Sequence, residues 1–319
     1  MKRYFYGKIL ILAVCAVLGA CAPRTGKVNS SANNMTMRDA MEAYARGDCA
    51  GSVQLFSALA ASGTPDALNG LGMAQLQCGR PTQAIESFKQ AVAIAPASSG
   101  LHSNLGIAYF EAGDYRAAGR EFDTALRSDP ANPEALLGKA GVLLERGEPD
   151  KALAVLKQLP PDTRQAPAVL FDRALALYKL GIFDDAESLL RECVARGENG
   201  APVYNALAIT LLGRKKYSEG LEFINLAISA EPMDAIYYYN RGNIRRAMKE
   251  FPKAIADYGK AIAYSPKFAE AFVNRGDLLY QQHRQKEGCK DLEEACRLGQ
   301  CERLESFREM GRCLTGIWE

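Results

Sequence analysis

Tryptophan and histidine are nearly absent from this sequence, with one Trp and two His in 319 residues. A metal centre built on imidazoles therefore starts short of ligands. Neither charge sign dominates: 39 Lys and Arg stand against 37 Asp and Glu, a formal charge of +2, which gives no electrostatic reason to expect nucleic acid. Long apolar runs are missing too. The uncharged stretch from Ile9 to Leu18 is shorter than the ~18 residues a transmembrane helix needs, and Pro23 and Arg24 close it. No G-x-S-x-G elbow, Walker loop or H-E-x-x-H pair occurs. His102 falls on a packing position of a helix and His283 at an inter-helix turn, and the carboxylates are too scattered for spacing to pick out a catalytic pair. The expectation is a protein with no catalytic residue, no cofactor and no resident metal. With 48% apolar and 24% charged residues, disordered and collagen-like chains are excluded as well.

The N-terminus has the layout of a secretory signal. Lys2, Arg3 and Lys8 precede the short apolar run, and small residues follow it. Leu18-Gly19-Ala20-Cys21 then resembles the lipobox of bacterial lipoproteins, where small residues stand at the two positions before the cleaved bond. The resemblance implies cleavage after residue 20 and acylation of Cys21. More than one acyl chain, at ~0.8 kcal/mol per buried CH₂, is enough for stable membrane residence. Removal of residues 1–20 takes away three basic residues, leaving 36 against 37 acidic ones and a formal charge of −1. Ala22 after the anchor implies, by resemblance to enterobacterial sorting, the outer membrane. Polar residues through position 36 read as a flexible tether.

Self-similarity organises the rest. Small residues recur every 34 positions at Gly72, Gly106, Ala140, Ala174, Ala208, Gly242 and Gly276. A second series follows twelve residues later at Ala84, Ala118, Ala152, Ala186, Gly220, Ala254 and Gly288. Large apolar residues keep the same beat: Phe88, Phe122, Leu156, Leu190, Ile224, Tyr258 and Leu292. These residues resemble the tetratricopeptide repeat (TPR), a helix-turn-helix unit of this length. The resemblance implies an all-α fold, a right-handed superhelix of about eight hairpins with a C-terminal capping helix. The expected organisation is a signal peptide at 1–20, a lipidated tether at 21–36, the solenoid at 37–298, and the capping helix and tail at 299–319. The small residues are expected where the paired helices touch, Gly72 against Ala84 and Gly106 against Ala118. Leu159-Pro160-Pro161 should shorten one second helix, and the cap should run over 302–312.

In proteins resembling this one, the first helices line a concave groove that takes up a partner's peptide or helix. The groove positions lie three before, one after and four after each small residue. They give Asn69, Met73, Leu76, Ser103, Ile107, Phe110, Phe171, Leu175, Tyr178, Ile209 and Leu212, a mostly apolar wall, and then Tyr239, Asn243, Arg246, Asp277 and Tyr280, where aromatic and hydrogen-bonding groups take over. An apolar trough with a polar end suits an amphipathic helix or extended segment.

Nine cysteines complete the inventory, of which Cys15 leaves with the signal and Cys21 carries lipid. In the repeat geometry that the resemblance implies, the second helix of one unit runs antiparallel to the first of the next. Cys49 then meets Cys78, Cys296 meets Cys301 near a turn, and Cys289 meets Cys313. Cys289 and Cys296 lie two helical turns apart, about 10 Å, too far to bridge each other. A zinc site from the four C-terminal cysteines is the alternative, although no C-x-x-C pair occurs. Cys193 takes an alanine-type core position and reads as an inert buried thiol.

The function these readings imply is that of a lipid-anchored, periplasm-facing outer-membrane scaffold binding other envelope proteins or peptides. Lipoproteins with such repeats serve as assembly factors for pili and secretins or as adaptors for peptidoglycan hydrolases. A self-associating structural lipoprotein, pairing through its atypical first hairpin at 37–60, is the second expectation.

Overall fold

The computed structural model describes residues 36–313. The expected signal peptide, the lipidation residue Cys21, nearly all of the tether and the tail after Cys313 lie outside the described residues. Among the described residues the chain forms 18 helices and no strand. They fall into two compact units, one ending at Leu180 and the other beginning at Gly181.

The first unit holds α1 (Met37–Ala45), α2 (Cys49–Ala60), α3 (Pro65–Gln77), α4 (Pro81–Ile94), α5 (Ser99–Glu111), α6 (Tyr115–Ser128), α7 (Pro133–Glu145), α8 (Pro149–Leu156), α9 (Pro161–Arg164) and α10 (Pro167–Lys179). Helix starts are written locally. Thr36 and Asp39 form a capping box, Asp48, Ser98, Asp114 and Asn132 cap with their side chains, and proline opens α3, α4, α7, α8 and α10. The hairpin turns pass through Gly47, Gly79, Gly113 and Gly147, all with positive φ, where a Cβ would be strained. Helix α8 stops after eight residues, ahead of Pro160 and Pro161.

The hairpins of this unit are held at close range by aromatic rings lying in glycine notches. A Cβ on Gly106 would lie 2.7 Å from Phe122 Cε1, and one on Gly72 2.6 Å from Phe88 Cε1. At these two glycines the nearest atoms across the hairpin belong to the ring sixteen residues on, while in the second unit the expected contact with the small residue twelve on is present: a Cβ on Gly220 would lie 3.1 Å from Ala208 O, and one on Gly276 2.9 Å from Gly288 O. Gly138 on α7 closes on the other side of Phe122, and both Phe88 and Phe122 are fully buried.

The second unit holds α11 (Phe183–Ala195), α12 (Ala201–Gly213), α13 (Tyr217–Ala230), α14 (Ala235–Ala247), α15 (Phe251–Tyr264), α16 (Ala269–Gln281), α17 (Gln285–Arg297) and α18 (Glu302–Glu309). Here a tyrosine takes the ring's place: a Cβ on Gly242 would lie 2.6 Å from Tyr258 Cε1. Gly276 and Gly288 instead let two backbones meet. Buried acids bind the hairpins together. Asp257 accepts from Arg241 and Arg245 at 2.7 Å each, and Asp291 from Arg275 at 2.7 Å. Burial alone would raise the pKa of Glu187, but hydrogen bonds from Arg191, Arg214 and Lys216 outweigh it and hold the group at about 2.

Disulfides join Cys49 to Cys78, Cys289 to Cys313 and Cys296 to Cys301, with Cα atoms 5.4 and 5.3 Å apart in the first two. The first ties α2 to α3, and the others tie α17 to the segment carrying α18. That cap ends at Glu309, short of the expected 312, because Gly311 turns the chain at φ +71° and Arg312 N–H closes on the Phe307 carbonyl at 2.8 Å. Leu304 and Phe307 of the cap are buried against Leu292 and Cys289. Cys193 keeps a buried thiol whose pKa burial pushes up to about 12, which leaves it inert at neutral pH.

Two glycines of one helix separate packing from propensity. Gly106→Ala should destabilise the protein by about 1–3 kcal/mol, since the fully buried ring of Phe122 has nowhere to move. Gly100→Ala, with no atom near the added methyl, should stabilise it by about 0.5–1 kcal/mol through helix propensity. Thermal unfolding followed by circular dichroism checks both signs.

Candidate functional site

The small residues set the phase of each first helix, so the groove positions can be placed one by one. Ile107, Phe110 and Leu175 are buried, with 4%, 3% and 4% of their surface exposed. The expectation that they form an accessible wall is corrected: neighbouring elements cover these side chains, and they act as core. Leu76, Ser103 and Phe171 are buried in the same way. Asn69, Met73, Tyr178, Ile209 and Leu212 stay half-buried.

The polar positions behave differently. In the second unit Tyr239, Asn243, Asp277 and Tyr280 are half-buried and Arg246 is exposed. They belong to one hydrogen-bonded array. Asn274 Nδ2 donates to Tyr239 Oη and to Asn243 Oδ1, both at 3.1 Å, while Tyr258 Oη donates to Asn243 Oδ1 at 2.8 Å. Asn243 is thus spent on holding α14, α15 and α16 together. Arg246 Nη1 reaches Asn274 Oδ1 at 3.4 Å, a weak bond that leaves most of its guanidinium uncommitted. Tyr239 stacks at 4.9 Å from the Phe268 ring, and burial, the main cause, raises its hydroxyl pKa. Asp277 accepts from Arg303 Nε at 2.7 Å. Tyr280 meets the Phe307 ring edge-on at 4.9 Å and carries Arg312 over its own face at 5.4 Å. The cap helix therefore reaches the groove through Arg303, and Tyr280 and Asp277 are the residues it touches.

A cleft of about 470 Å³ opens beside this array, between the C-terminal ends of α14 and α16, the start of α15, and α18. Arg246, Lys249, Asp277 and Arg303 supply its charges, and Phe251 and Leu278 its apolar floor.

Two sets of residues escaped the sequence reading. One is a column two positions before each small residue: Asn104 donates to Asn69 at 2.8 Å, Asn240 to Asn205 at 2.7 Å, and Asn274 lies in the array above. The 34-residue spacing of 240 and 274, with 104 in phase, was the available signal. Asp172 takes the same column position in α10. It is 4% exposed, and burial pushes its carboxyl up to about 7. The other set is Arg303 and Lys249, on the cap and on a turn, where a groove register defined only on first helices has no place for them.

Models of the tetratricopeptide repeat match residues 38–99, 75–124, 109–177, 167–192 and 242–282. The chain is 26% identical over 234 residues to the BBSome complex member BBS4 of Bos taurus, covering 73% of this chain and 38% of that protein. It thus spans about two fifths of the length of that curated relative. A tetratricopeptide repeat protein from Parabacteroides merdae superposes with a TM-score of 0.59 at 25% identity, over 76% of this chain and 96% of the other. The APC/C hetero-tetramer Cut9-Hcn1 gives a TM-score of 0.71 at 16% identity, over 86% of this chain and 54% of the other, a likeness of fold alone.

The buried carboxyl makes a pH prediction. An aspartate with an ordinary value of 3.8 when unfolded and about 7 when folded binds more protons in the folded state between those values. Its contribution to stability is therefore present at low pH and lost as pH rises from about 4 to 7. Asp172→Asn should raise the melting temperature at pH 8 by several degrees while changing it little at pH 4, flattening the pH profile. A profile identical to that of the parent protein would contradict this.

Proposed function

Because the chain belongs to the tetratricopeptide repeat family, we propose that it is a scaffold, holding envelope proteins in place through the first-helix face of its hairpins. The observation that carries this reading is the contrast along that face: Ile107, Phe110 and Leu175 are sealed, whereas Arg246 stands exposed beside half-buried Tyr239, Asp277 and Tyr280. An aromatic and hydrogen-bonding surface flanked by a cleft offers area and register to a bound segment. No chemistry on the partner is needed for this role.

The scaffold is a lipoprotein acylated at Cys21, and it works at the periplasmic face of the outer membrane. Leu18-Gly19-Ala20-Cys21, following a short apolar run, supports the anchor. The three disulfides support an oxidising compartment. Pilus or secretin assembly and the positioning of peptidoglycan hydrolases are the two roles this reading admits, and the identity of the captured protein distinguishes them.

Photo-crosslinking from position 246 in intact cells tests the scaffold reading. A benzoylphenylalanine there should capture a discrete set of envelope proteins that the same group at exposed Leu226, on α13, does not. Equal capture from both positions would remove the first-helix face from the site. For the anchor, Cys21→Ser should move the protein from the membrane to the soluble fraction, and unchanged fractionation would overturn it.

A further inference from the structure

The turns between paired helices carry a pattern of their own. In the first unit they pass through Gly47, Gly79, Gly113 and Gly147 at φ between 69° and 81°. In the second unit Gly181 keeps the pattern at φ 77°, and the next three matching positions are Lys215, Lys249 and His283, at φ 61°, 62° and 61°. The backbone is the same, so a residue with a Cβ costs roughly 1 kcal/mol at each position where glycine would cost nothing. A chain that keeps such a residue three times running retains a basic side chain against its own stability. Backbone outliers of this kind gather at binding sites.

One of these residues lines the cleft described above. Lys249 is exposed and has no ion-pair partner among the described residues. Across from it stand Arg246, whose single bond to Asn274 is long, and Arg303, which spends only Nε on Asp277. Both terminal nitrogens of Arg303 have no acceptor among the described residues, and its guanidinium packs 4.7 Å from the centre of the Phe307 ring. Three cations therefore face one carboxylate, which is already satisfied, around a floor of Phe251 and Leu278.

We infer that this cleft is the docking point for an acidic segment of a protein partner, one carrying carboxylates beside a large apolar side chain, and that the cap helix supplies part of the specificity through Arg303. The inference rests on the scaffold reading and names the partner chemistry of that surface. Charge complementarity selects the occupant: planar guanidinium groups match carboxylates in pairs, the lysine adds a flexible third contact, and the apolar floor takes what phosphate or a bare ion cannot offer. The disulfides between α17 and the cap segment keep Arg303 in place, so the site belongs to the oxidised protein.

The test uses the full oxidised chain and fluorescence anisotropy with two labelled peptides. One alternates two leucines with four aspartates and glutamates; its twin has asparagine and glutamine instead. The acidic peptide should bind about tenfold or more tightly than its twin at low salt, and the margin should shrink as salt is raised. Arg246→Ala and Arg303→Gln should each weaken it by about three- to tenfold. Asp277→Asn should tighten it, a sign that loss of structure would not produce. Lys249→Gly should weaken binding while raising the melting temperature, separating charge from backbone strain. Equal binding of the two peptides, or no loss in either arginine variant, would overturn the inference. So would displacement of the acidic peptide by inorganic phosphate or by phosphatidylglycerol vesicles at equal charge concentration. Crosslinked partners at position 246 with no preference for the acidic peptide would sink this inference and leave the scaffold reading standing. Failure of both crosslinking and peptide binding would sink the two together.

Discussion

An aromatic ring pressed into a glycine notch is the contact on which the rest of the structure depends. Phe122 lies between Gly106 of its own hairpin and Gly138 of the next, and Phe88 and Tyr258 fill the notches at Gly72 and Gly242. A side chain of this size buries a large apolar area, and the missing Cβ lets it do so with the helix backbones close together. The notch therefore fixes both the spacing within a hairpin and the spacing between successive first helices. Short amides then bond between successive first helices, Asn104 to Asn69 at 2.8 Å and Asn240 to Asn205 at 2.7 Å.

Those amides mark where packing passes into function. An asparagine pair spends one amide hydrogen bond on joining two first helices, as Asn240 does to Asn205, whose own Nδ2 is buried without a partner among the described residues. Asn243 is the fullest case, since it accepts from both Tyr258 and Asn274. Arg246, one turn further along the same helix, has the same neighbours within reach but a longer arm, and it ends in solvent with most of its donors unspent. Rigid structural polar groups thus support an uncommitted cation, the arrangement a binding surface needs to avoid ordering costs when a partner arrives.

Much of this was legible in the sequence. The 34-residue beat located the hairpins from Gly72 onward, and Leu159-Pro160-Pro161 marked the short helix α8. Antiparallel neighbours brought Cys49 toward Cys78 and Cys289 toward Cys313, the pairs that the structure joins. The groove was less legible for a definite reason. Helical phase says which way Ile107 or Leu175 points but not how near the next element comes, and depth of burial depends on that distance. The cap's Arg303 contacts Asp277 across 26 residues of sequence, outside any repeat register. Lys249 was hidden differently: the small-residue columns lie at the helix contacts, whereas the turn column at 113, 147, 181, 215 and 249 changes from glycine to lysine after Gly181.

Covalent links stand near both ends of the described chain, Cys49 to Cys78 at one and the pair around α18 at the other. Stacked hairpins ordinarily peel apart from their termini, where each has a single neighbour. Here that route is closed at the C-terminal end, where the cap segment cannot leave α17. A pulling force delivered through the cap passes along sulfur–sulfur bonds into α17 before it meets any noncovalent seam. Extension under load is thereby displaced from the cap to the seam between α16 and α17, the first that no sulfur bridge crosses.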